Sequence, residues 1–157
     1  MRTNKLYLIL FVVSICACKN NSTSNSTLNS ISIDEKQDRI QTLAKYVHLK
    51  SGISDGEFDL FNVNGFDNER LSVPGASSWN YKFGVMVNKN DIYKWTNDLR
   101  DTTFKAPDFN WILKLIRNRP QNWSLHSKPK FYIGNSLDDI LVVYENEGAI
   151  FRQIINL

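Results

Sequence analysis

The chain has few of the residues that most often build a cross-linked or metal-binding site. Only two of its 157 residues are cysteine and two are histidine, which leaves little material for a disulfide framework or a soft-metal site. Seven glycines and four prolines follow no repeat, and this excludes a fibrous chain. Neither a glycine-rich phosphate loop nor a dinucleotide fingerprint is present, so we expect no cofactor and no nucleic-acid partner.

The rest of the composition is that of a folded domain. Hydrophobic residues make up 42% of the chain and aromatic residues 12%, which is too much for a disordered protein. A length of 157 residues with a formal charge of +3 indicates one domain with one core.

The amino-terminal residues form a targeting pattern. Arg2 and Lys5 precede the apolar stretch 6–13, which is followed by Ser14-Ile15-Cys16-Ala17-Cys18. The apolar stretch is shorter than the roughly 20 residues of a membrane-spanning helix. It therefore predicts a segment that is read by the export machinery and then removed.

The end of this segment resembles the lipobox of bacterial lipoproteins. Ile15 supplies the aliphatic residue, Cys16 and Ala17 the two small ones, and Cys18 the cysteine after the cut, although Ala, Ser or Gly is commoner in the place of Cys16. The resemblance covers residues 1–18 only. It implies that 1–17 are removed as a signal peptide and that Cys18 carries acyl chains, which would hold the protein stably on a membrane.

Two alternatives stay open for this segment: a secretory peptide cleaved after Ala17, and an uncleaved anchor. In lipoproteins an Asp after the lipidated cysteine can favour the inner membrane, whereas Lys19 follows Cys18 here, so we expect the outer membrane. Lipidation would also leave no free thiol in residues 19–157, which excludes cysteine chemistry in the mature protein.

The next segment predicts a flexible tether. Eleven of the fourteen residues 19–32 are Asn, Ser or Thr, and such a composition buries too little apolar surface to fold. A random coil of this length would hold the domain about 20 Å from the bilayer. The lipidated cysteine and tether thus span 18–32, and a single globular domain spans 33–157.

Periodicity within the domain predicts an α+β fold. Helical spacing predicts helix 33–50, opened by a capping box of Ser32 and Glu35, a second helix capped by Asn88, and a third over 107–118. Strands are predicted over 57–63, 79–87, 130–134, 139–144 and 149–155. The order αββααβββ, with closely joined strands, indicates a two-layer sandwich of a mostly antiparallel sheet with about three helices.

A basic cluster with nearby tryptophans is the first candidate binding surface. Its cations are Lys114, Arg117, Arg119, Lys128 and Lys130. They are suited to a lipid headgroup, an acidic glycan or an acidic protein, although a solvated helix end would show the same charges. Trp79 and Trp95 fall on apolar faces and predict core, whereas Trp111 and Trp123 predict exposed contacts. The proposed contact residues are Arg117, Arg119, Trp123, Lys128 and Trp111.

Carboxylates give the second candidate. Asp55, Glu57 and Asp59 alternate along one predicted strand, and Asp138 and Asp139 precede the last hairpin. Such groups could bind a hard cation or perform acid–base work, but we favour a solvated strand edge, where charges deter further pairing. His48 and His126 lie far apart in sequence and predict solvated or structural side chains, so we assign no metal site.

These observations lead to an expected function. We expect a membrane-anchored extracytoplasmic lipoprotein of the cell envelope that works without catalysis by binding a protein. One alternative is a carbohydrate-binding accessory that uses Trp111 and Trp123 for stacking. The other is an envelope hydrolase that uses paired carboxylates.

Overall fold

A computed structural model describes residues 25–66, 78–102 and 109–156. It is an α+β fold with one seven-stranded antiparallel sheet and three helices. The strands are β1 (Thr27–Asn29), β2 (Ile53–Asn62), β3 (Trp79–Val87), β4 (Arg100–Thr102), β5 (Lys130–Ile133), β6 (Asp139–Tyr144) and β7 (Ala149–Asn156). The helices are α1 (Lys36–Tyr46), α2 (Ile92–Thr96) and α3 (Asn110–Ile116), and short 3₁₀ turns cover Ser30–Ser32, Lys89–Asp91 and Pro120–Asn122.

The predicted class and element order are confirmed. The strands lie in the order β1-β2-β3-β7-β6-β5-β4, and without β1 and β4 the chain order is the expected αββααβββ. Both additional strands have three residues, too few for an alternating pattern to be recognised in the sequence.

Strand β3 is an interior strand of the sheet, and its alternating sequence gives it two different faces. Phe83 and Val85 are fully buried on one face, and Lys82, Gly84 and Met86 alternate with them on the other. The strand pairs with β2 on one side and with β7 on the other. Residues that pair across adjacent antiparallel strands point to the same face of the sheet. The alternation of β3 therefore continues across both of its neighbours.

Helices cover both faces of the sheet. Leu43 of α1, Val47 directly after it and the α2 residue Trp95 pack with the Phe83 face. On the opposite face, α3 packs with Val142 and Phe151. The sheet therefore has helices on both of its faces and not on one face alone. The physical reason is that β6 and β7 are apolar on both faces, and each face needs a cover.

The folded domain begins earlier than residue 33. Residues 1–24 lie outside the described part of the chain, but β1 and the following turn occupy residues 27–32, so the tether prediction is wrong for this portion. Leu28 packs against the core and Ser30 is 1% exposed. The polar composition misled because β1 is held by pairing with residues 59–61 of β2.

The predicted boundaries of α1 are too wide. The helix begins after Glu35, whose side chain makes no capping bond, and ends before Val47, whose backbone is extended. The capping box of Ser32 and Glu35 is therefore wrong, because Ser32 lies in a separate 3₁₀ turn. His48 follows the helix and is exposed. Strand β2 begins at Ile53, four residues before the prediction.

Two turns each contain a glycine with positive φ. Gly65 has φ 77° after the Asn64 position, and Gly148 has φ 71° in the β6–β7 hairpin. A side chain at Gly148 would also approach the carbonyl oxygen of Val87 to 2.4 Å. The predicted start of α3 at Pro107 lies outside the described residues. Among the described residues, no helix is long and apolar enough to cross a membrane.

Candidate functional site

Two neighbouring groups of charged residues lie along β2 and differ in how their charges are satisfied. We call the first group the edge clasp; its members are Ser30, Arg39, Asp55, Glu57, Arg119 and Asn122. We call the second group the charged pocket; its lining residues are Asn29, Ser30, Ile31, Phe58, Asp59, Lys82, Trp111, Lys114, Leu115 and Arg117.

The edge clasp exists because β1 covers only part of β2. Pairing with β1 involves residues 59–61, so the preceding part of β2 has no strand partner on that side among the described residues. Exposed strand edges of this kind pair readily with other chains. Here side chains from both layers of helices approach the edge instead.

Arg39 approaches the edge from α1. Its Nη2 donates to Asp55 Oδ1 at 2.7 Å, and its Nε donates to the backbone oxygen of Gly56 at 3.1 Å and lies 3.5 Å from Glu57 Oε1. The arginine is only 1% exposed. A guanidinium in this place satisfies two carboxylates and one strand carbonyl together.

Arg119 approaches Glu57, one of these two carboxylates, from the side of α3. Its Nη1 lies 3.1 Å from Glu57 Oε1, and its Nη2 donates to the backbone oxygen of Ile33 at 2.6 Å. Ser30 completes the group, because its hydroxyl donates to Glu57 Oε2 at 2.5 Å and accepts from the Phe58 amide at 3.0 Å. Helices on opposite faces are therefore joined around the edge of the sheet.

The clasp corrects the expectation of a solvated edge. Asp55 and Glu57 are 6% and 1% exposed, and only Asp59 of the three carboxylates is exposed. Arg39 and Arg119 place guanidinium groups against the two buried carboxylates, which offsets part of their desolvation cost. Both acids are occupied by structural partners, which removes the pair that the hydrolase alternative required.

The charged pocket lies beside the clasp, on the α3 face of the sheet. It has a volume of about 280 Å³ and is walled by α3, by β2 and β3, and by the segment 29–31. This volume is near the lower end of the range for small-molecule sites. A side chain or one sugar unit would fit such a space.

Unpaired charges distinguish the pocket from the clasp. Lys82 is half-buried, while Lys114, Arg117 and Asp59 are exposed. None of these four forms an ion pair with a residue in the described ranges, although Asp59 and Lys82 are direct cross-strand neighbours. Three cations against one carboxylate give the pocket two excess positive charges, which favours an anionic ligand.

Trp111 supplies an aromatic wall. The indole is half-buried and packs edge-to-face on Phe151, with ring centroids 6.4 Å apart at an angle of 79°. Ile31 and Leu115 also line the pocket, so apolar surface lies next to the cations. The pocket can thus accept a group with an anionic end and an apolar part.

The five predicted contact residues do not form one surface. Trp111 and Arg117 line the pocket, whereas Arg119 belongs to the clasp and has a side chain only 12% exposed. Lys128 is exposed but does not line the pocket. Lys130, the remaining member of the basic cluster, pairs with Glu145 at 2.8 Å.

The prediction that Trp123 is exposed is wrong, because its indole is 3% exposed. The 3₁₀ turn Pro120–Asn122 returns the chain onto the sheet, where Trp123 packs on Phe151 with centroids 5.3 Å apart. The indole lies over Gly84, at which any Cβ would meet Phe151 at 2.6 Å. Trp123 is thus core, and it cannot stack on a sugar.

Other candidate groups remain separate from the pocket. Asp139 forms two bonds of 2.8 Å with Arg152, and Asp138 is exposed. His126 is exposed. Within the described ranges, no cluster of three or more His, Cys, Asp or Glu residues could hold a metal ion.

One carboxylate outside both groups is satisfied by neutral donors. Glu147 accepts bonds from the backbone amides of His126 and Ser127, at 3.0 and 2.8 Å, and from the Ser127 hydroxyl. These bonds, the hydroxyl first, lower the pKa of Glu147 below its ordinary value of 4.5. They fix the loop that precedes Lys128.

Sequence reasoning missed three important residues: Ser30, Arg39 and Lys82. Ser30 was hidden in the polar segment, and Lys82 was read only as the alternating residue of a strand. Arg39 carried a usable signal, because it lies four residues before Leu43 and eight before Val47, on the buried face of α1.

Comparisons with known proteins found no similarity: no protein-family model matches the chain, and neither the curated proteins nor the solved structures gave a match.

Proposed function

We propose that the protein is a bacterial lipoprotein, anchored through Cys18 in the outer membrane, whose domain binds an acidic group on an envelope protein without catalysis. The anchoring half of the proposal is supported by the basic, apolar and lipobox pattern of residues 1–18. The binding half is supported by the charged pocket. Each half can be tested without the other.

One observation carries the binding proposal: three cations that form no ion pair within the described ranges surround a pocket with an aromatic wall. Elsewhere in the described fold, buried charges are paired, as in the clasp. Charges that have no internal partner can bind an external one with little reorganisation. Arg117 offers a planar fork for a carboxylate, and Lys82 and Lys114 add positive potential.

Contacts in the pocket also explain why binding is favoured over hydrolysis. A carboxylate-based hydrolase needs two acids that converge at an accessible bond. Asp59 is the single acid that lines the pocket, and the nearby Glu57 is enclosed by Ser30 and Arg119. The pocket is therefore better suited to binding a ligand than to acid–base catalysis on that ligand.

Acidic carbohydrate is the second candidate ligand, and Trp111 is the observation that favours it. Sugar rings stack on exposed indole faces, and Asn29 and Asp59 could accept or donate bonds at the hydroxyls. Trp123 makes no contribution because it is buried. A uronic-acid oligomer that binds more tightly than an acidic peptide, and that loses its binding in Trp111→Ala, would favour this candidate.

The pocket is tested by charge reversal in the full-length protein. We expect Lys114→Glu with Arg117→Glu to weaken binding of a labelled glutamate-rich peptide by about 30- to 100-fold, because like charges then face the ligand. Fluorescence anisotropy in detergent micelles measures this. Lys36→Glu with Lys128→Glu makes the same change in net charge at exposed positions outside the pocket. Equal losses in both double variants would contradict the pocket.

The anchor is tested at two neighbouring cysteines. We expect Cys18→Ala to abolish incorporation of labelled palmitate and to release the protein from the outer-membrane fraction of a bacterial host. Cys16→Ala should leave both unchanged, because Ala is common at that place in the lipobox. Palmitate labelling that survives in Cys18→Ala would contradict a lipid anchor at this residue.

A further inference from the structure

The segment that forms one wall of the pocket also leads to the proposed anchor. Asn29, Ser30 and Ile31 line the pocket, and β1 connects them to Asn25, the first described residue. Only six residues lie between Cys18 and Asn25. The pocket and the membrane are therefore joined by a short stretch of chain.

The length of this stretch limits the height of the pocket above the membrane. The seven Cα–Cα steps from Cys18 to Asn25 span at most about 25 Å, whatever their conformation. Four further steps lead from Asn25 to Asn29, which adds about 13 Å. The wall of the pocket thus lies within about 40 Å of Cys18, closer than a fully extended tether ending at Ser32 would allow.

We propose that the acidic group bound by the pocket belongs to a protein that is itself bound to the same membrane, on a segment within about 40 Å of the bilayer. This inference rests on the proposed function, because it needs both the lipid anchor and the pocket. It adds the class of the partner and the place where the two proteins meet.

The chemistry of the pocket favours a peptide segment over the lipids themselves. Lys114 and Arg117 can bind a carboxylate, and Asp59 beside them can accept a bond from an N–H donor, which a phosphate group does not supply. A peptide supplies backbone N–H donors next to its acidic side chain. Its apolar neighbours can then cover Trp111 and Ile31, of which Ile31 is 45% exposed.

Anchoring both proteins also relaxes the affinity that the pocket must provide. Two molecules confined to one surface meet at an effective concentration that can reach millimolar values, and it falls steeply if the spacer cannot span the sites. A pocket with a few charged contacts is sufficient under these conditions. The same pocket would bind a free soluble partner more weakly than one confined to the same membrane.

The height limit is tested with the full-length lipoprotein in phosphatidylcholine vesicles. A glutamate-rich peptide is attached to lipid through about 5 prolines, which extend about 15 Å, or through about 30 prolines, which extend about 90 Å. A carbodiimide joins lysine amines to carboxylates in contact, and mass spectrometry identifies the cross-linked lysine. We expect cross-links at Lys82 or Lys114 with the short spacer and at least about tenfold fewer with the long one.

A matched variant separates height from affinity. Insertion of about 30 Gly and Ser residues between Cys18 and Asn25 should restore the cross-links with the long spacer, because the longer chain can span the distance. Titration with the soluble peptide measures the pocket alone. Soluble binding combined with equal cross-linking at both heights would overturn the inference and leave the proposed pocket intact.

Two further outcomes would also overturn it. Absence of soluble binding removes the pocket itself and, with it, the partner class. Loss of the peptide cross-links in phosphatidylglycerol vesicles, at an ionic strength matched to the phosphatidylcholine vesicles, would mean that the pocket binds lipid phosphate. Persistence of the cross-links in anionic vesicles, with the expected dependence on height, supports a membrane-bound protein partner.

Discussion

Glu57 and Asp59 lie two residues apart on the same face of β2, and Arg117 and Arg119 lie two residues apart after α3. In each pair one member belongs to the edge clasp and the other to the charged pocket. Glu57 and Arg119 bind each other, whereas Asp59 and Arg117 line the pocket without ion pairs in the described residues.

Charge type and strand position therefore do not decide the role of these residues. Arg39 from the other face of the sheet and Ser30 from the amino-terminal segment enclose Glu57, while no comparable group covers Asp59. Burial with compensation makes one site structural. Exposure without compensation leaves the other available to a ligand.

The largest expected effect comes from removing the shared carboxylate of the clasp. Glu57→Gln keeps the shape of the side chain but leaves Arg39 and Arg119 with a single buried acid, Asp55. This should lower the free energy of unfolding by about 3–5 kcal/mol. Urea denaturation measures this. Asp59→Asn, two residues along the same face, should change it by less than about 0.5 kcal/mol. Similar losses of unfolding free energy in the two variants would contradict the different roles of Glu57 and Asp59.

A smaller effect is expected from the two arginines. Arg119→Ala removes charge-assisted bonds to Glu57 and to Ile33, at a cost of about 2–3 kcal/mol in unfolding free energy. Arg117→Ala should change the unfolding free energy by less than about 0.5 kcal/mol but weaken binding of the glutamate-rich peptide. Thermal melts and anisotropy, performed on both variants, give four values. A loss of stability in Arg117→Ala larger than in Arg119→Ala would reverse the two roles.

The smallest effect concerns a carboxylate held by neutral donors. The pKa of Glu147 is lowered in the fold by Ser127 and His126, so its ionised form stabilises the protein above the unfolded pKa. That contribution is lost as pH falls through the lowered folded pKa. We expect the stability difference between wild type and Glu147→Gln to be full at pH 7 and to decrease as pH falls below the unfolded pKa of 4.5 and through the lowered folded pKa. A difference independent of pH would contradict this assignment.

The predictable part of the fold was the part in which side-chain pattern follows local structure. The alternation of residues 79–87 identified β3, and the apolar runs around Gly148 identified the last hairpin. β1 escaped because its three residues are stabilised by pairing with β2 and not by their own composition. The polarity of a segment indicates whether that segment would fold by itself. Whether it forms an edge strand depends on the strand with which it pairs.

The site was predictable only in part. Trp111 and Arg117, two of the five proposed contact residues, both line the charged pocket, and their part in binding stays a prediction. Trp123 was misjudged, since a polar loop that turns back can still bury its aromatic residue. The clasp could not be inferred, because Arg39 and Arg119 come from elements on opposite faces that meet only at an incomplete sheet edge.

The position of the amino-terminal segment also has a mechanical consequence. Any tension along the chain from Cys18 enters the domain at β1, an edge strand of three residues. Beyond β1, the force would be borne by the bonds of Ser30 to Glu57 and by those of Arg119 to the backbone at Ile33. The clasp thus lies between the amino-terminal segment and most of the hydrophobic core, and pulling on the proposed anchor would load the packed side chain of Leu28 first and then these short, charged contacts.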